Sequence, residues 1–149
     1  MQMKSTVKGF TLVELIIVIV IVAILAAIAI PSYQQMMENG RRSDAISTAK
    51  ALQLAQETLR ANCPFYAQNL GANNVCGANA GATTVGFAAA SNEGFYTMSI
   101  VGGTATGNAY TISADPQGAQ ATDTDCDPMT LTISAANPQG AEGPAGCWN

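Results

Sequence analysis

Residues 10–30 form an uninterrupted apolar run in which Glu14 is the only charge. About 20 apolar residues suffice for an α-helix to cross the hydrocarbon core of a bilayer. Lys4 and Lys8 precede the run, and the next basic pair, Arg41 and Arg42, lies well beyond it. The positive-inside rule therefore holds the N-terminus in the cytoplasm and places the body of the chain outside. An ordinary secretory signal has a shorter apolar region and then a small-residue cleavage site. Residues 23–29 imitate such a site, but the run continues into Pro31 and a helical pattern. A plain membrane anchor leaves Glu14 unexplained, because a carboxylate within an apolar span costs on the order of 2.5–3.5 kcal/mol.

The segment Gly9-Phe10-Thr11-Leu12-Val13-Glu14, with its short basic leader and long apolar continuation, resembles the type IV prepilin signal. Pro31-Ser32-Tyr33 resembles the way pilins continue after it. The resemblance implies cleavage between Gly9 and Phe10 by a prepilin peptidase and methylation of the new Phe10 amine. It also gives Glu14 a role in assembly, as the carboxylate that meets a neighbour's N-terminal amine in a dry helix bundle. The implied partners are other pilin subunits, in a homo- or hetero-polymer, the peptidase, an inner-membrane assembly platform, and the membrane before assembly. The implied location is the inner membrane with a periplasmic head, then an extracellular pilus. The implied function is that of a structural pilus subunit serving adhesion, twitching motility or DNA uptake. The end of the chain looks most like a PilE-type minor pilin, and a type II secretion pseudopilin is the alternative.

The chain divides into a leader (1–9), a transmembrane and polymerisation helix half (10–31), an amphipathic helix half (32–61) and a globular head (62–149). In the second half, Ala45, Ile46, Ala49, Leu52 and Leu59 recur at helical spacing among polar residues. Pro31 and Gly40 are helix-weakening positions where a kink is expected. Ser43 or Asp44 could cap a fresh helix start after Gly40. Residues 62–93 show no period. Alternation marks strands near 94–101, 109–114 and 128–134, with Met129, Leu131 and Ile133 on one face. The expected fold is α+β: a long N-terminal helix on a three- to four-stranded antiparallel sheet. The glycines and prolines of residues 137–149 argue against regular structure there.

Cys63, Cys76, Cys126 and Cys147 avoid CxxC spacing and follow a membrane-targeting segment, which points to an oxidising compartment and two disulfides. Three connectivities are open; nearest-neighbour pairing is preferred. In the related pilins a disulfide bounds a C-terminal loop, and the resemblance assigns that bridge to Cys126 and Cys147. No histidine is present, which removes the commonest general base and metal ligand. No catalytic motif is visible, so the chain reads as a non-enzyme without a cofactor. Asp115, Asp123, Asp125 and Asp127 cluster before the third strand. The stretch from Asp123 to Asp127 imitates the alternation of a calcium loop but lacks its glycine and distal glutamate, so it reads as a solvated acidic turn and no metal site is assigned. The net charge is −4, and every basic residue precedes position 61. Nucleic-acid binding needs a basic face, so none is expected. Arg41 and Arg42 are expected to face neighbouring subunits or lipid headgroups.

Overall fold

The computed structural model describes residues 9–148; the leader positions 1–8, including Lys4 and Lys8, lie outside the described residues. The chain divides after Met37 into two compact units. The helix α1 (Leu12–Arg60) contains both Pro31 and Gly40.

In the first unit, α1 is apolar on every side. An 18-residue window has none of its residues buried, and the helix is long and apolar enough to cross a membrane. Leu12, Ile16, Val20, Ile24 and Ile28 are all exposed. An all-round apolar helix needs lipid or other helices around it.

In the second unit, Ala45, Ala49, Leu52, Gln56 and Leu59 form the buried stripe of α1. Their spacing of four, three, four and three residues keeps them on one face. That face meets a four-stranded antiparallel sheet of order β3 (Tyr96–Ile100), β4 (Tyr110–Pro116), β5 (Met129–Ser134) and β6 (Asn137–Gly143). Alternation decides which residues join the core. Tyr96, Met98 and Ile100, then Tyr110, Ile112 and Ala114, then Met129, Leu131 and Ile133 point inward and are buried. Each such large side chain contributes roughly 1.5–3 kcal/mol relative to exposure. The outer positions are mostly hydroxyls, and Thr111 and Thr132 hydrogen-bond across strands at 3.1 Å. One face is thus packed and the other polar, as an antiparallel sheet permits.

The three predicted strands are present with slightly different ends. Residues 137–143 are a correction: they form β6 despite Pro138 and Gly140. The physical reason is position. β6 is an edge strand, where a missing N–H is tolerated, and its pairing with β5 shifts register between Thr132 and Ser134. Gly140 has φ +98°, and a Cβ there would lie 2.5 Å from Leu131 Cδ1. Leu131 is fully buried and has little room to yield. Gly140→Ala is therefore expected to destabilise the head by about 2 kcal/mol or more. Thermal unfolding of the full chain checks it; an unchanged midpoint would show that the bulge relaxes freely.

The stretch between α1 and β3 holds a second, smaller sheet. The strands β1 (Asn69–Gly71) and β2 (Thr84–Gly86) pair in parallel. Three-residue strands are too short to print a period of two, which is why residues 62–93 look featureless in sequence. Tyr66 is buried, and Phe65 and Phe87 pack against the core at its margin. The disulfides follow nearest-neighbour pairing. Cys63–Cys76 has a Cα separation of 5.4 Å and Cys126–Cys147 one of 5.7 Å. The first ties the end of α1 to the loop carrying the small sheet. The second encloses β5 and β6. In the chain-entropy model, closing loops of this size stabilises by roughly 3 kcal/mol each.

Candidate functional site

The candidate site is the start of α1. Gly9, Phe10 and Thr11 precede the helix, and Phe10 is 84% exposed. Thr11 accepts a hydrogen bond at its Oγ1 from the Glu14 backbone N–H, at 3.2 Å. Its carbonyl also accepts from the Leu15 N–H, at 3.3 Å. Thr11 is thus the N-cap, and Thr11-Leu12-Val13-Glu14 has the sequence of a capping box of which the threonine half is formed. The sequence signal for this cap is Thr-x-x-Glu, set inside an otherwise apolar run. Glu14 stands in the first turn, where a carboxylate also faces the positive end of the helix dipole. So Glu14 has a local structural use besides any role between subunits. The Thr11 cap does not depend on the Glu14 side chain, because its donor is the Glu14 backbone N–H.

The head positions its charges differently from the sequence expectation. Arg42 is turned into the head, its side chain only 16% exposed. Its Nε and an Nη donate to the two carboxylate oxygens of Asp123 at 2.6 and 2.7 Å. The hydrogen bond to Asp123, partly opposed by burial, holds the Arg42 guanidinium above its ordinary range. Asp123 is only 4% exposed and also accepts from Gln120 Nε2 at 2.8 Å. The solvated-turn reading is therefore corrected at Asp123: it is a buried anchor for α1, while Asp125 and Asp127 are exposed. Arg41 donates to the Ala119 carbonyl at 3.1 Å and lies over the Phe95 ring. These contacts, made over a long sequence separation, bring both arginines onto the loop around residues 117–123 and out of solvent-facing roles.

Asp44 is a second correction. It caps no new helix, because α1 runs on through it; instead it is buried and accepts from Ser91 Oγ and the Glu93 N–H. Ser91 Oγ in turn accepts from the Tyr96 N–H at 3.0 Å, so α1, the loop and β3 share one polar chain. Gln56, overlooked in the apolar stripe, is fully buried and pairs with both backbone groups of Ala67 at 2.9 Å. Burying an amide is tolerable only when its bonds are met in this way. No sequence signal marks such partners, since each depends on the fold.

Comparisons with known proteins bear on both units. A prokaryotic N-terminal methylation motif matches residues 4–30. A fimbrial protein of Moraxella nonliquefaciens is 49% identical over 60 residues, covering 40% of this chain and 39% of that protein. A type IV major fimbrial protein FimA of Dichelobacter nodosus is 50% identical over 56 residues, covering 38% of this chain and 36% of that protein. A fimbrial protein of Pseudomonas aeruginosa is 51% identical over 51 residues, covering 34% and 33%. This chain thus spans less than half the length of these relatives in its matches. The apolar helix and the methylation motif fit a membrane-anchored pilus subunit, and such a subunit assembles with other pilins. The head carries the wider match, over residues 31–130: the chain belongs to the family described as type IV minor pilin ComP, DNA uptake sequence receptor.

Proposed function

We propose that this chain is a minor pilin, cut between Gly9 and Phe10, methylated on the Phe10 amine and polymerised through the apolar half of α1. The supporting observation is the apolar, wholly unburied start of α1 bearing one carboxylate, Glu14, a turn from the exposed Phe10. Cleavage turns Phe10 into a cationic terminus, and methylation keeps that charge. Each charge is costly alone in an apolar bundle, and pairing between neighbours removes the cost while setting axial register. A prepilin peptidase and an inner-membrane assembly platform are the partners this route needs. The precursor sits in the inner membrane with its head in the periplasm, and the processed subunit ends in the extracellular pilus. Pro31 and Gly40 are the positions at which α1 would loosen on assembly. Intact mass and N-terminal sequencing of sheared surface filaments test the reading. A chain beginning with methylated Phe10, present at trace level, is the expected result. Abundance would make it a major pilin. Absence from filaments, with the processed chain retained in the inner membrane, would move it to the pseudopilins.

The family description raises DNA reception as a second reading. The head's charge weighs against it. Of the six basic residues, four lie in residues 38–149, against nine of the ten carboxylates. All four already have internal partners: Arg41 with Ala119, Arg42 with Asp123, Lys50 with Glu142, and Arg60 with the Gly107 and Cys63 carbonyls. Arg42 and Lys50 already face carboxylates, and the donors left on Arg41 and Arg60 sit in a unit whose nine carboxylates outnumber its four basic groups, a field that opposes phosphate. Fluorescence polarisation with duplex DNA is expected to give a Kd weaker than about 10⁻⁴ M at physiological salt, the weak limit of non-specific binding. Micromolar binding with a steep salt slope would restore the DNA-receptor reading.

A further inference from the structure

At the C-terminal end of α1 the head carries an open cavity of roughly 380 Å³. Glu57, Arg60, Tyr66 and Asn108 supply its polar lining, and Ala135 and Pro138 supply apolar wall in front of the buried Ile133. The hydrogen-bond inventory is uneven. Tyr66 donates to the Glu57 carboxylate, 3.0 Å from each oxygen. Burial first, and then that bond, push the Tyr66 hydroxyl above its ordinary range, so it remains a donor. A carboxylate has about four acceptor positions, so one phenol leaves Glu57 with acceptor capacity. Glu57 forms no ion pair with Arg60 among the described residues. Arg60 spends Nε on the Gly107 carbonyl and one Nη on the Cys63 carbonyl, both at 2.8 Å, leaving its other Nη as a donor. Asn108 Oδ1 accepts from Thr106 Oγ1 at 3.2 Å, which leaves its amide N–H groups as donors.

The cavity therefore presents acceptors and donors side by side, zero net formal charge and an apolar wall. We propose that it is a binding site for a neutral sugar residue. A vicinal diol both donates and accepts, so one hydroxyl can donate to Glu57 while its neighbour accepts from Arg60 or Asn108. The C–H face of a pyranose ring suits the wall formed by Ala135 and Pro138. A phosphodiester or a uronic acid places an anion against Glu57 and loses by like-charge repulsion. The volume falls within the range of small-ligand pockets, about 300–1,000 Å³.

Saturation-transfer NMR on the full chain in sugar-free zwitterionic detergent tests the site, with glucose, galactose, mannose and N-acetylglucosamine as probes. Glucuronate and a deoxydinucleotide are the anionic comparisons. The expected result is transfer to the ring protons of at least one neutral sugar. Affinity should fall at least ~10-fold, about 1.4 kcal/mol, in both Glu57→Gln and Asn108→Ala. Near-UV circular dichroism reports whether each variant keeps its packing. Asn108 lies in an exposed turn, so its variant decides the matter should Glu57→Gln misfold. No transfer to any neutral sugar, transfer unchanged in a folded variant, or tighter binding of either anion would each overturn the proposal.

Discussion

Asp123→Ala is expected to destabilise the head by on the order of 3 kcal/mol, as breaking a buried ion pair commonly does. The cost comes mostly from what is left behind. Arg42 would keep its charge with its side chain only 16% exposed, and its fork of donors would lose both carboxylate oxygens. Gln120, itself fully buried, would lose the acceptor of its shortest bond. For a head of this size the unfolding midpoint should drop by roughly 10–20 °C. Thermal unfolding of the full chain in detergent, followed by near-UV circular dichroism, gives the number. The double variant Arg42→Met with Asp123→Leu is the control. It removes both charges, so most of the lost stability should return if uncompensated burial is the cause. A drop below about 0.5 kcal/mol for Asp123→Ala would place the pair among ordinary surface ion pairs and remove its role in fixing α1 against the loop.

That pair also marks the limit of what the residue order discloses. Ala45, Ala49, Leu52 and Leu59 announce their buried face because helical periodicity is local. Met129, Leu131 and Ile133 do the same for β5 through alternation. Arg42 and Asp123 stand 81 positions apart and carry no periodic mark. Asp44 has the residue type of a cap, yet its partners, Ser91 and Glu93, come from a loop 47 and 49 positions away. β6 was hidden for a different reason. Proline and glycine are read as breakers on average, and only the sheet order shows that this strand is an edge with a bulge. At the N-terminus the situation reverses. The processing signal is wholly local, so Gly9, Phe10 and Glu14 stand out at once, while the Thr11 cap emerges only when the hydrogen bond is seen.

The place of Glu14 in the first turn of α1 changes how its assembly role must be tested. The Thr11 cap survives in Glu14→Ala, since its donor is the Glu14 backbone N–H. But that variant removes the charge, its favourable place at the helix N-terminus and the bulk of the side chain together, so loss of assembly has more than one explanation. Glu14→Gln removes the charge while keeping the size of the side chain and the Thr11 cap, so it separates loss of charge from loss of bulk. If the carboxylate pairs with the methylated Phe10 amine of a neighbour, both variants should enter filaments at least ~10-fold less often than the unsubstituted chain. That corresponds to a loss of about 1.4 kcal/mol per incorporated subunit, below the 2–5 kcal/mol typical of orphaning a buried charge. Membrane insertion should not suffer, because removing a carboxylate from an apolar span relieves a cost of about 2.5–3.5 kcal/mol. Each variant is co-expressed with the unsubstituted chain, and mass spectrometry gives its share in sheared filaments and in membranes. Normal incorporation of Glu14→Gln with impaired Glu14→Ala would assign the effect to side-chain bulk and leave the amine to find another partner. Impairment of both, at normal membrane levels, would leave intersubunit charge pairing as the explanation, because the Thr11 cap and insertion are intact in the glutamine variant and the lost charge–dipole contribution, about 0.3–1 kcal/mol, falls short of the roughly 1.4 kcal/mol of a 10-fold loss.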